Sequence, residues 1–108
     1  MRIMELASRE AEPRVRDRLI REAFDALFHA ARIASMAYLS TEESRWGYLG
    51  RMLPENFRDE FRRFIDTLHI EYFYNGSYPR EETSEEFERG LNEVEDYVKK
   101  MEAEATRS

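Results

Sequence analysis

One long segment of this 108-residue chain, from Arg14 to Leu39, contains neither proline nor glycine. Pro13 stands just before it, at a position where the first turn of a helix tolerates a missing amide proton. Together these features predict one helix of about 25 residues. Its second half is apolar on nearly every side, so other helices have to cover it. The segment is therefore predicted to be the central helix of a bundle.

Start and stop signals divide the next part of the chain into shorter helices. Ser40 and Glu43 fit a capping box, in which the Ser40 hydroxyl accepts from the amide of Glu43, and a short helix is expected to follow as far as Met52. Pro54 begins a further helix. The apolar residues of that helix share one face, at Phe57, Phe61, Phe64, Ile65, Leu68 and Tyr72.

The last helix follows a stop signal at Asn75-Gly76, two residues that both tolerate the left-handed conformation of a helix C-cap. Thr83 or Ser84 is expected to cap this helix, with Glu86 completing a capping box. Its apolar residues repeat every three or four positions, at Phe87, Leu91, Val94, Val98, Met101 and Ala105. No segment shows the alternation of a strand.

The sequence therefore predicts an all-α fold, an antiparallel up-and-down bundle of four to five helices. It is expected to be one domain spanning residues 1–108, with residues 1–12 and 103–108 frayed.

Composition restricts the kinds of site that such a bundle can carry. The absence of cysteine excludes disulfides, thiol nucleophiles and thiolate zinc sites. A net charge of -6 argues against non-specific electrostatic binding of nucleic acid by the whole surface. The acidic residues concentrate after Ser77, so a local basic site on the earlier helices remains open. No stretch approaches the about 20 apolar residues of a membrane span, and we expect a cytoplasmic protein without membrane contact.

The first candidate site is a polar stripe on the helix that Pro54 begins. Asp66 and His69 are three positions apart, so Asp66 is expected to orient the imidazole, while Arg62 or Arg63 would hold a phosphate. Such a set suits phosphate-ester chemistry. A boundary strip of structural ion pairs is the alternative interpretation.

The second candidate lies on the central helix, where Asp25, His29 and Arg32 form a polar strip in an apolar half. Asp25 and His29 are four positions apart and can pair. The alternative interpretation is that these polar groups have no catalytic role and are hydrogen-bonded where the helix faces a groove or a partner. If His29 and His69 face each other, the two candidates would form one joint site. Two histidines without short metal-ligand spacing predict neither a metal site nor a cofactor.

A third signal concerns assembly. Ile70, Phe73 and Tyr74 extend apolar surface beyond the core face, and Tyr78 and Trp46 add to it. A symmetric homodimer would bury this surface, although the chain's own termini could also cover it. The residues predicted to line a ligand or dimer cleft are His29, Asp25, Arg32, Tyr72, Phe73, Tyr74, Asn75 and Tyr78.

Three segments resemble the HEPN superfamily, most closely its archaeal PaREP-type branch. They are the alanine-rich run from Glu22 to Arg32, Trp46 with Leu53-Pro54, and the run from Leu68 to Pro79. The resemblance implies a four- to five-helix homodimer associated with RNA or a nucleotide in a toxin-antitoxin or defence system. It also implies a protein partner such as a minimal nucleotidyltransferase.

Active HEPN proteins resemble metal-independent ribonucleases, with an arginine and a histidine four to six residues apart. The histidine assists attack by the ribose 2'-hydroxyl, and the arginine stabilises the phosphate. Arg63 and His69 satisfy this spacing, but the best register sets His69 opposite the family's arginine and Phe73 opposite its histidine. On that alignment the catalytic pair is lost and the motif is degenerate. Catalysis therefore stays open, and a non-catalytic homodimeric module that binds a protein partner is the alternative function.

Overall fold

The computed structural model describes residues 2–107, with side chains from Ile3 onward. Within this range the chain forms five helices and no strand, which confirms the predicted all-α bundle. One of them, α4, continues directly as a π-helix over Ile65–Tyr74, called here the π segment. The five helices are α1 (Arg2–Arg9), α2 (Pro13–Leu39), α3 (Trp46–Met52), α4 (Glu55–Phe64) and α5 (Thr83–Arg107).

Helix α2 is the central element, as predicted, and spans 27 residues. The Glu12 carboxylate caps its first turn by accepting hydrogen bonds from the amides of Arg14 and Val15. Helices α1 and α5 and the π segment all pack against α2. They cover part of its apolar second half, where Phe28 and Ala31 are fully buried, whereas Ile33 stays 60% exposed.

Aromatic side chains dominate the core between α2, α4 and α5. Every member of the predicted apolar face from Phe57 to Tyr72 is buried. Tyr97 of α5, which the periodicity did not select, is fully buried, and its hydroxyl lies 2.8 Å from that of Ser35. Burial raises the pKa of Tyr97 above its ordinary value. Ala105, which was expected on the same face, is exposed.

The π segment was not predicted, because the apolar spacing of Ile65, Leu68 and Tyr72 also fits an α-helix. Its wider turn is visible where the amide of Asn75 donates to the carbonyl of Ile70, at 2.9 Å. Side chains five positions apart, rather than four, then lie one turn apart. Long π-helices are rare, and π turns occur frequently at functional sites.

Several local predictions were wrong. Ser40 does not begin a helix but ends α2 in the left-handed conformation, with φ of 52°, and α3 begins only at Trp46. The hydroxyl of Thr83 donates to the carbonyl of Pro79 instead of capping α5, and the Glu86 carboxylate accepts from Tyr72.

The two chain ends also differ from expectation. Residues 2–9, which were expected to be frayed, form α1, whose Met4 and Ala7 are buried. Helix α5 continues to Arg107. Met1 and Ser108, at the ends that were predicted to be frayed, lie outside the described residues.

Arg21 of α2 holds the end of the π segment. Its guanidinium donates to the carbonyl oxygens of Phe73, at 2.7 Å, and Tyr74, at 2.5 Å, which would otherwise lack partners at a helix end. Gly76 then turns the chain with φ of 70°, packed against the same guanidinium. The stop signal is therefore confirmed, with Gly76 as its left-handed residue, whereas Asn75 keeps a right-handed helical conformation.

Asp17 anchors the loop that follows the π segment. Its carboxylate accepts hydrogen bonds from the Tyr78 hydroxyl, at 2.6 Å, and from Arg80, at 3.1 Å. Burial opposes ionisation of Asp17, but these bonds and one from Arg21 outweigh it and lower its pKa. Burial, together with the bond to Asp17, raises the pKa of Tyr78 to about 12.

A pair of glycine substitutions tests the turn at Gly76. An added Cβ in Gly76→Ala meets Arg21 at 3.2 Å in a left-handed backbone, so the free energy of unfolding should fall by about 1–2 kcal/mol. Gly47→Ala is the matched control, because open space surrounds its Cβ position and alanine favours a helix by about 0.5–1 kcal/mol. Urea denaturation followed by circular dichroism measures both, and equal effects would contradict the turn described here.

The lowered pKa of Asp17 predicts a pH dependence of stability. A carboxyl whose folded pKa lies below its unfolded value of about 3.9 stabilises the fold above that pH and loses this effect as the pH falls. Asp17→Asn should therefore be less stable than wild type near neutral pH. The difference between the two should shrink below about pH 4. Denaturation at a series of pH values measures it, and a constant difference would argue against the ionic role of Asp17.

Candidate functional site

The candidate site is built around a buried carboxylate in α2. Asp25 is 8% exposed, and its two oxygens bind two different histidines. Oδ1 lies 2.7 Å from Nδ1 of His69 in the π segment, and Oδ2 lies 2.9 Å from Nε2 of His29, one turn further along α2. The two histidines of the chain, which the sequence placed in separate candidate sites, therefore share one carboxylate.

The hydrogen-bond partners of each histidine indicate which ring nitrogen carries the proton when the ring is neutral. Nε of Arg32 donates to Nδ1 of His29, at 3.3 Å, so that nitrogen carries no proton. The proton of His29 then sits on Nε2 and points to Asp25. His69 in turn donates its Nδ1 proton to Asp25, which leaves the Nε2 lone pair of His69 without a protein partner among residues 2–107. An imidazole held in this way is ready to accept a proton.

Aromatic rings fix the plane of the His69 imidazole. Phe28 lies 4.8 Å from it, Phe73 stacks on it at 5.7 Å, and Trp46 of α3 meets it edge-on at 5.9 Å. Phe73 is four positions after His69 on the same segment, and Phe28 comes from α2. The ring is consequently positioned from three elements, while the His69 side chain keeps 22% of its surface accessible.

A basic groove begins on the other side of Trp46. The arginine groove, as we call it, is a cavity of about 250 Å³ whose basic side chains come from α3 and α4. Trp46 forms part of its wall and also touches His69, so the groove adjoins the site. Guanidinium groups at such a position attract a phosphate. The charged residues that line it are Arg51, Arg58, Arg62 and Asp66.

The structure corrects the role expected for Asp66. The carboxylate that orients His69 is that of Asp25, which lies 44 positions away in the sequence. Asp66 instead lines the arginine groove with Arg62. The spacing of three that suggested the Asp66–His69 pair applies to an α-helix, whereas both residues lie in the π segment with its wider turn.

The other predicted residues are distributed around the site. Arg63 lies on the α5 side of α4, where it forms an ion pair with Glu93 at 3.0 Å, whereas His69 faces α2. Tyr72 and Tyr78 are buried within the chain, and Tyr78 also lines a cavity with Asp17. Asn75 and Tyr74 are exposed.

Comparisons with models of known protein families, with curated proteins and with solved structures found no match to this chain. The HEPN resemblance therefore stays a prediction from the sequence. Among the described residues, no three His, Asp or Glu side chains are grouped so as to hold a metal ion. Nor does any helix within residues 2–107 combine the length and apolar character that a membrane crossing requires.

The assigned ring protons can be observed directly. In the neutral form of each ring, long-range proton–nitrogen NMR spectra should show His29 as the Nε2–H tautomer and His69 as the Nδ1–H tautomer, because each donates to Asp25. In Asp25→Asn an amide replaces the carboxylate that accepts both ring protons, and both histidines should shift towards a mixture of tautomers. Arg62→Gln, in the neighbouring groove, is the control and should leave both spectra unchanged. The opposite tautomer at either ring would contradict the assignment.

Proposed function

We propose that this chain is an RNA- or nucleotide-associated domain that cleaves an RNA phosphodiester without a metal. One observation carries this proposal, namely the 2.7 Å bond between Asp25 and Nδ1 of His69, which leaves Nε2 of His69 free. A carboxylate and an imidazole paired in this way act as a general base. The resemblance to HEPN proteins supports RNA as the substrate and a toxin-antitoxin or defence system as the setting.

The proposed step assigns each proton. Nε2 of His69 takes the proton of a ribose 2'-hydroxyl, whose oxygen forms a bond to the adjacent phosphorus. The bond from phosphorus to the 5'-oxygen breaks, and that oxygen leaves with a proton from water. Asp25 stabilises the imidazolium, and an arginine of the neighbouring groove stabilises the charge on the phosphate.

This assignment changes the roles drawn from the sequence. His69 keeps its predicted role as acid and base, with Asp25 in place of Asp66 as the residue that positions it. Arg62 remains a candidate for the phosphate, because it lines the groove beside Trp46. Arg63 is a weaker candidate, since its guanidinium is paired with Glu93.

The second candidate function is a non-catalytic homodimeric module that binds a protein partner, such as a minimal nucleotidyltransferase. Exposed apolar side chains favour it, above all Ile33 on α2, which is 60% exposed, and Tyr74 at the end of the π segment. Large apolar groups on a small domain often mark protein contacts. A homodimer would bury them, and we keep it as a proposal.

A cleavage assay in EDTA separates the two functions. Structured RNA should be cut by wild type, and His69→Ala should slow cleavage by about 100-fold or more, the contribution of a positioned acid or base. Asp25→Asn should also slow it, because the ring loses its orientation. Asp59→Asn is the matched control, since Asp59 is exposed on α4 and does not line the arginine groove, and it should retain most activity.

Two outcomes would contradict the catalytic proposal. Cleavage that survives His69→Ala would show that another group, or a contaminant, performs the reaction. Absence of cleavage by wild type, together with a dimer by light scattering on a sizing column, would favour the interaction module instead.

A further inference from the structure

Three arginines lie on one face of the first half of α2, beside the end of the π segment. Arg14, Arg18 and Arg21 line an open groove of about 600 Å³ whose far wall is formed by Phe73 and Tyr74. We call it the Arg14–Tyr74 groove. It is separate from the arginine groove, with which it shares no lining residue.

Two of these arginines have no partner. Arg21 is occupied by Asp17 and by the carbonyl groups of the π segment. The guanidinium groups of Arg14 and Arg18, in contrast, form no ion pair or hydrogen bond with any residue that the structure describes. Free guanidinium groups on a protein of net charge -6 are groups to which an anion can bind.

The acidic residues in the groove oppose this charge only in part. Asp17 shares its negative charge with Arg21, Arg80 and the Tyr78 hydroxyl. Glu22 is exposed at the edge of the groove. The groove therefore keeps two uncommitted positive charges against one uncommitted negative charge.

An exposed aromatic ring stands opposite the arginines. Tyr74 is 72% exposed, the most of any large apolar or aromatic side chain described, although Arg21 fixes its backbone. The neighbouring Phe73 also lines the groove, and its ring stacks on that of His69 at 5.7 Å. Phe73 thus connects the Arg14–Tyr74 groove to the Asp25–His69 pair without an intervening element.

We propose that the Arg14–Tyr74 groove binds a single-stranded segment of RNA that leads to His69. Phosphates of the strand lie on Arg14 and Arg18, and a base stacks on Tyr74. Free guanidinium groups beside an exposed aromatic ring are the combination by which proteins bind single strands. This inference rests on the proposed function for the reaction at His69, and it adds the strandedness of the substrate and the residues that bind it.

The distance from the start of the groove to the Asp25–His69 pair favours a strand over a free nucleotide. Arg14 and Asp25 are eleven positions apart on α2, which corresponds to about 16 Å along the helix axis, a length that needs more than one nucleotide. The ring of Tyr74 favours a single strand over a duplex, because a base has to leave its own stack before it can lie on the ring.

Binding is measured apart from cleavage with a fluorescent RNA oligonucleotide whose 2'-hydroxyls are methylated, so that it cannot react. Fluorescence anisotropy should show binding to wild type and to His69→Ala alike. Tyr74→Leu should weaken binding about fivefold or more, and Tyr74→Phe, which keeps the ring, should not. In Arg14→Gln/Arg18→Gln, the slope of log affinity against log salt should fall by about 1.4, or about 0.7 for each lost phosphate contact.

The control is Lys99→Gln/Arg107→Gln, which removes the same charge from exposed positions of the acidic α5. It should leave the salt slope unchanged, and a duplex of the same sequence should bind more weakly than the single strand. An equal decrease of the salt slope in the control and in the groove variant would overturn the proposal. Wild-type protein that cleaves RNA but binds the duplex more tightly than the single strand would overturn it as well. Binding without cleavage would instead support the groove and contradict only the catalytic role of His69.

Discussion

The carboxylate of Asp25 is the interaction on which the arrangement of the central helices depends. A buried charge costs several kcal/mol unless it is hydrogen-bonded, and Asp25 lies among the buried apolar residues of α2. Hydrogen bonds from His29 of the same helix and from His69 of the π segment offset this cost. The bond to His69 fixes how the π segment is placed along α2. The same bond that satisfies the core also orients the one imidazole nitrogen that remains free.

Much of the fold follows from local patterns, and the site follows only in part. The long α2, the core face from Phe57 to Tyr72 and the stop at Gly76 each depend on near neighbours in the sequence, so spacing and turn chemistry predict them. The pairing of Asp25 with His29 is of the same kind. Tyr97 was missed because a tyrosine hydroxyl looks polar until a partner such as Ser35 is known.

The features that the sequence did not predict depend mainly on contacts between segments that are distant in the sequence. Asp25 and His69 are 44 positions apart, so no spacing rule connects them. Asp66 was assigned to His69 on the assumption of an α-helical turn, and the π segment removes that neighbour. Helix α1 was missed because its packing on α2 through Met4 and Ala7, rather than its own propensity, holds it.

The π segment also bears on how this surface could change during evolution. A π turn accommodates more backbone than an α turn, so a one-residue deletion within Ile65–Tyr74 could be absorbed by a return to α-helical winding. The helix would persist, but the residues beyond the deletion would rotate about its axis relative to α2. Such a change would separate His69 or Phe73 from their present neighbours while leaving much of the apolar core in place. The site could therefore be lost or re-formed in one mutational step, without loss of the bundle that carries it.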